Sequence, residues 1–204
     1  MTRPVLRRSL CMAYLLVAAV PITQASGAAA QPPAVTRAGA VQALAALAAG
    51  PVEGDIVAAH SGRCLDVTGG TGATANEVPI KQYDCLGAGQ TNQVWSLRYA
   101  DHDGTTFYYN LVATHSGKCL DVTGGPAATG NQVPIKQYAC TGATNQQFRL
   151  QYHTLEDPRV NLVARHSQKC LDVIGGTGAT GNNVAIQQYT CLGAGQTNQL
   201  FTLY

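Results

Sequence analysis

Charge is scarce in this chain. Only 12% of its 204 residues are Asp, Glu, Lys or Arg, and the formal net charge is +2. The basic residues are scattered rather than clustered, which argues against nucleic acid or an anionic membrane surface as a partner. There are 11 acidic residues in all, few for a catalytic carboxylate pair, and Asp101 and Asp103, close in sequence, fall in a polar stretch between repeats. The motifs G-x-S-x-G and H-E-x-x-H and a phosphate loop are absent. After the first 20 residues nothing approaches the run of about 20 apolar residues that a spanning helix requires. An enzyme, a cofactor and a membrane span are therefore not expected.

What the chain does have is repetition. The string C-L-D-V starts at Cys64, Cys119 and Cys170. In each copy a tyrosine follows the aspartate by 17 positions, pairing Asp66 with Tyr83, Asp121 with Tyr138 and Asp172 with Tyr189. T-N-Q closes each copy, placing Asn92-Gln93, Asn145-Gln146 and Asn198-Gln199. Such regularity means one supersecondary unit used three times. A short carboxylate, an aromatic and an amide pair are groups suited to holding a sugar. Aspartate accepts from two neighbouring hydroxyls, tyrosine offers a flat apolar face to ring C–H groups, and asparagine both donates and accepts.

Cysteine usage agrees with an oxidising compartment. Apart from Cys11, six cysteines form three equivalent pairs, each separated by 21 positions: Cys64 and Cys85, Cys119 and Cys140, Cys170 and Cys191. Six cysteines allow about 15 connectivities, and the repeat favours pairing within each copy over a metal site, for which C-x20-C is a poor match. Residues 1–30 read as a secretory signal: Arg3, Arg7 and Arg8, an apolar core over Leu10–Val20, then small residues. Residues 31–53, rich in Pro and Ala, read as a linker or short N-terminal arm.

From Gly54 onward, short apolar runs alternate with Gly, Asn and Thr. Segments 55–58, 64–67, 78–83 and 94–97 predict about four strands per copy and about twelve in all. The glycine-threonine loops after each C-L-D-V suit turns with positive φ. One copy cannot bury its own apolar face, whereas three around an axis close a small barrel without free edges. The expected fold is all-β, a β-trefoil over residues 54–204, with pseudo-symmetric four-strand repeats at about 54–104, 105–157 and 158–204 and one disulfide within each.

With C-L-D-V, Q-Y-x-C and N-Q-x-aromatic all in place, residues 54–204 resemble the ricin-B-type lectin and carbohydrate-binding module family. Its Q-x-W signature stands as Gln93-Val94-Trp95, Gln146-Gln147-Phe148 and Gln199-Leu200-Phe201, so Trp is kept once and Phe replaces it twice. The resemblance implies that Asp66, Asp121 and Asp172 anchor a hydroxyl pair and that Tyr83, Tyr138 and Tyr189 stack on the ring. It implies that Asn92, Asn145 and Asn198 bind a shared hydroxyl, while Gln93, Gln146 and Gln199 hold the aspartates from behind. All four positions are present in all three copies, which implies up to three sites.

Two departures stand out. Where many relatives carry Gln two residues before the aromatic, this chain has Lys81 and Lys136, and only Gln187 matches. These are further candidate sugar contacts; a lysine there reaches another hydroxyl or an acidic sugar, although a side chain turned to solvent is the plainer expectation. In the second copy the Asn follows its cysteine by 5 positions instead of 7, shortening one wall. His60, His115 and His166 also recur, four residues before each first cysteine, but on different repeats, so a local hydrogen bond or a solvated ring is expected rather than a metal. The reading is a secreted, monomeric lectin module for glycans such as galactosides, xylan or arabinan. The alternative is a secreted trefoil that binds proteins, such as a protease inhibitor, through its loops. Asp and Asn also cap turns, but the full constellation recurring in register three times favours a binding site over that role.

Overall fold

The computed structural model describes residues 52–154 and 156–204. The expected signal segment, and the expected arm except for its last two residues, lie outside the described residues. Twelve strands follow one another: β1 Val52–Ala58, β2 Arg63–Val67, β3 Val78–Tyr83, β4 Val94–Asp103, β5 Thr106–Ala113, β6 Lys118–Val122, β7 Val133–Tyr138, β8 Phe148–Tyr152, β9 Val160–Ala164, β10 Cys170–Val173, β11 Val184–Tyr189 and β12 Phe201–Leu203. Four fall in each repeat, as expected. The first begins at Val52, two residues ahead of the expected domain start.

Pairing closes the chain twice. The strands β1, β4, β5, β8, β9 and β12 are each bonded to the next, and β12 returns to β1, so they form a barrel. Across one end lie the hairpins β2–β3, β6–β7 and β10–β11, whose second strands pair with one another in a triangle. Closure leaves no barrel edge to pair with another chain. This is a β-trefoil. Asp101 and Asp103 lie within β4, not in a loop between repeats.

The core is built from equivalent residues of the three lobes: Leu65, Leu120 and Leu171; Val67, Val122 and Val173; Ile80, Ile135 and Ile186. Trp95, Phe148 and Phe201 fill one position, each 2% exposed or less. The Trp95 indole also donates to the Leu65 carbonyl at 3.0 Å, a bond the two phenylalanines lack the group to make. Each lobe is stapled internally: Cys64–Cys85, Cys119–Cys140 and Cys170–Cys191, with Cα atoms 5.1 Å apart in all three. The tight loop after each C-L-D-V requires φ near +90° at Gly69, Gly124 and Gly175, a region glycine enters without strain.

Successive lobes also interlock. In the second lobe, His115 and Gln137 bond the Ala73 carbonyl of the first. In the third, His166 and Gln188 bond Ala128 of the second. In the first, His60 and Gln82 bond Ala179 of the third. A carbonyl only accepts, so each histidine Nε2 carries the proton, leaving a buried Nδ1 without a partner. The histidine trio is thus spread over three separate junctions, each ring tied to a different carbonyl.

Candidate functional site

Each site begins with a buried carboxylate at the end of a core strand. Asp66 is the middle residue of the β2 segment L-D-V, so its backbone is fixed by pairing with Lys81 on β3 and by core packing on either side. Its Oδ2 accepts from Asn92 Nδ2 and Gln93 Nε2, both at 2.9 Å. The same arrangement holds Asp121 through Asn145 (2.9 Å) and Gln146 (2.8 Å), and Asp172 through Asn198 and Gln199 (both 2.9 Å). Each glutamine also grips its wall, donating to the backbone oxygen of Asp84, Ala139 or Thr190 and accepting from the N–H of Leu86, Thr141 or Leu192. Each glutamine thus bridges its aspartate to the backbone of the wall.

The asparagines are more constrained than expected. Asn92 Nδ2 spends its second proton on the Val67 carbonyl at 3.2 Å, and Asn145 and Asn198 do the same toward Val122 and Val173. Reversing the amide would set its oxygen against a carboxylate and a carbonyl, so this orientation is chemically fixed. No N–H remains for a ligand. What remains in the first and third lobes is Oδ1 of Asn92 and Asn198, buried and without a protein partner.

Burial pushes the Asp66 and Asp121 carboxyls above their ordinary value of 3.8, despite the amide donors and the nearby Lys81 or Lys136 that pull the other way. Tyr83, Tyr138 and Tyr189 end β3, β7 and β11, half-buried, opposite Cys64, Cys119 and Cys170.

The lysines do not turn to solvent. Lys81 Nζ lies 5.1 Å from the Tyr83 ring centroid and Lys136 Nζ 5.0 Å from that of Tyr138, both over the ring. The attraction of an ammonium for a π face, together with an acceptor at each tip, holds them in the site. Lys81 Nζ donates to Asn183 Oδ1 at 2.6 Å, and Lys136 Nζ bonds Glu77 while standing 3.9 Å from Asp121 Oδ1. In the third lobe Gln187 Nε2 donates to Asp172 Oδ1 at 2.9 Å.

Two open depressions result. The first, about 300 Å³, is lined by Asp66, Gly69, Lys81, Tyr83, Asn92 and Asn183 among others. The second, about 330 Å³, is lined by Asp121, Gly124, Lys136, Tyr138, Asn145 and Glu77 among others. The shorter wall of the second lobe therefore does not close its site. Asn183 and Glu77 belong to the lobe preceding each site around the ring. Sequence reasoning missed them because the repeat shows what a lobe contains, not which neighbour leans on it. A usable signal existed: Glu77, Gln132 and Asn183 stand at one repeat position, 13 residues after each first cysteine.

Asp101, by contrast, is tied to Arg165 at 2.7 Å, which with the His102 backbone N–H holds its carboxyl below the usual range. Among the described residues no group of His, Cys, Asp and Glu has metal-binding geometry, and no helix is long and apolar enough to cross a membrane.

Comparison with known proteins adds the following. Residues 49–138, 91–189 and 144–204 each match the profile of the ricin-type beta-trefoil lectin domain-like family. A designed 3-fold symmetric protein, ThreeFoil, is 39% identical with a TM-score of 0.62, over 74% of this chain and 96% of that one. The exo-beta-1,3-galactanase 1,3Gal43A from Clostridium thermocellum is 28% identical with a TM-score of 0.62, over 74% of this chain but only 29% of that chain. The Rhizoctonia solani agglutinin, at 16% identity and a TM-score of 0.60 over 76% of this chain and 95% of its own, shares the fold. No curated protein sequence matches the chain.

Proposed function

The chain belongs to the ricin-type beta-trefoil lectin domain-like family, and on that premise we propose that it is a secreted lectin module that binds galactose-like or pentose-containing glycans at up to three sites, without catalysis of its own. The observation that carries this reading is the aspartate with one oxygen clamped by two side-chain amides, repeated in register in all three lobes. A turn-capping aspartate would bond backbone N–H groups near itself. These three instead bond side-chain amides 24 to 27 residues away.

In the mechanism, Asp66 Oδ1 accepts one or both of two vicinal hydroxyl protons, each such charged bond contributing about 1.5–3 kcal/mol before losses to water. The tyrosine face receives the C–H side of the ring. Holding Oδ2 with Asn92 and Gln93 orients Oδ1 in advance, so little ordering is left for the ligand to impose. A single shallow site of this kind binds at about −4 to −6 kcal/mol, and three on one rigid body raise avidity for a polymer. The partial match to the galactanase is consistent with galactose-like ligands. The paired cysteines fit an extracellular setting.

Binding of the disulfide-bonded protein to immobilised galactosides, xylan and arabinan tests the reading, run beside the triple Asp66→Ala, Asp121→Ala, Asp172→Ala variant with its fold verified by circular dichroism. Binding by the wild type that disappears in the variant is the expected result. A folded wild type that binds no glycan overturns it and turns attention to protein partners for the loops.

A further inference from the structure

Among the described residues, those at repeat position 13, Glu77, Gln132 and Asn183, are the only non-glycine set that adopts left-handed backbone in every lobe, with φ of +67°, +63° and +64°. Side chains at such φ are uncommon and mark a position the surroundings over-determine. The cause is local: each N–H donates to the carbonyl of the core glutamine in the following lobe, Glu77 to Gln137 at 3.0 Å, Gln132 to Gln188 at 2.9 Å and Asn183 to Gln82 at 3.0 Å. That glutamine is one residue from Lys81, Lys136 or Gln187. The backbone bond therefore delivers a side chain of one lobe to the edge of the next lobe's site, and of the three delivered side chains only Glu77 carries a charge.

We propose that these cross-lobe residues set the specificity of the three sites, so that the first selects a glycan carrying a carboxylate while the second is confined to neutral sugars. The inference rests on the lectin reading above. In the first site, the hydrogen-bond acceptor that Lys81 meets is the neutral Asn183 oxygen at 2.6 Å. An ammonium has three protons, so Lys81 keeps donors for a ligand carboxylate, and its charge offsets that of Asp66. In the second site Lys136 is held between Glu77 and Asp121, so two carboxylates face one cation and the net local charge is negative. An acidic sugar there meets repulsion from Glu77 and a lysine already paired. In the third site Gln187 stands where the other two have lysine and bonds Asp172, and Gln132 stands at the delivered position. It too favours neutral sugars.

The test uses matched ligands: methyl galactoside against methyl galacturonate, and xylo-oligosaccharide with and without a glucuronic acid branch. Binding is measured by calorimetry and by NMR shifts of Tyr83 and Tyr138 in the wild type, Asn183→Glu and Glu77→Asn. Both exchanges use residue types of these sites at exposed positions, and thermal melts confirm folding. The wild type should bind the acidic member at one site per chain. Asn183→Glu should weaken that site by about fivefold or more while sparing the neutral ligand. Glu77→Asn should raise the acidic stoichiometry to two, and added salt should erode the acidic preference only. Neutral binding with no acidic preference, or an acidic preference that neither exchange moves, overturns this proposal and leaves the lectin reading intact. No binding of any member by the folded protein brings down both.

Discussion

Gln137 and Ala73 belong to different lobes, yet the Gln137 side-chain amide donates to the Ala73 carbonyl at 2.7 Å and also to Ala75 at 2.7 Å. Its oxygen accepts from Ser116 at 2.8 Å, so a fully buried amide is satisfied at every atom. Gln82 and Gln188 repeat the arrangement with Ser61 and Ser167. The trefoil is therefore locked at its junctions by polar groups as well as by its apolar core.

Gln137→Leu keeps the volume but strands the Ala75 carbonyl and the Ser116 hydroxyl proton and leaves the Ala73 carbonyl to His115 alone, a loss of about 2–4 kcal/mol. Urea unfolding measures it. The segment set loose lines the first site through Gly70 and the second through Glu77, so both should weaken while the third keeps its affinity. Equal weakening of all three sites would show that the junctions are not independent.

Gln93→Glu tests the clamp behind Asp66. It swaps a donor for a second buried carboxyl beside the first, replacing an attraction with a like-charge contact. Stability at pH 7 should fall by about 2–4 kcal/mol and the first site should be lost. Acidification should recover part of the stability, because one proton shared between the carboxyls relieves the repulsion.

Protonation of Asp66 and Asp121 acts on folding and on binding with different signs. Burial lowers the His60 and His166 pKa values, so their contribution is present above the ordinary 6.5 and is lost as pH falls through the folded values. Burial raises those of Asp66 and Asp121, so their contribution is present below 3.8 and is lost as pH rises through the folded values. Stability should therefore drop on acidification from about pH 6.5 and then partly flatten. Glycan affinity needs ionised aspartates and should halve at a pH above 3.8. Affinity that persists unchanged below that pH would remove the aspartates from ligand contact.

Much of this was legible beforehand because it is local and repeated. The strands at 78–83 and the turns at Gly69 and Gly175 follow from alternation and glycine placement, and the disulfide pairing follows from one spacing used three times. The glutamine behind each aspartate was implied by the resemblance to the lectin family, not by spacing. The lysine placement was not legible. Whether Lys136 points to water depends on Glu77, which reaches it only through β3–β7 pairing across a lobe boundary. The fate of the asparagine amide was equally hidden, because its second acceptor is a backbone carbonyl set by how the turn meets β2.

The third site should be the weakest of the three for neutral sugars. Asp172 Oδ2 is held by Asn198 and Gln199 as in the other lobes, but its Oδ1 also accepts from Gln187 at 2.9 Å. In the first lobe no protein donor lies at hydrogen-bond distance of Asp66 Oδ1 among the described residues, and in the second Lys136 stands off at 3.9 Å. A sugar hydroxyl approaching Asp172 must share that oxygen with an amide proton or displace it, which forfeits about 0.5–1.5 kcal/mol of an existing bond. Single replacements read this directly. Asp172→Ala should reduce avidity for a polymeric glycan less than Asp66→Ala does, and Gln187→Ala, which frees Oδ1, should strengthen the third site several-fold. If Gln187→Ala instead weakens that site, the amide is a ligand contact or an essential brace for Asp172, and the ranking of the sites reverses.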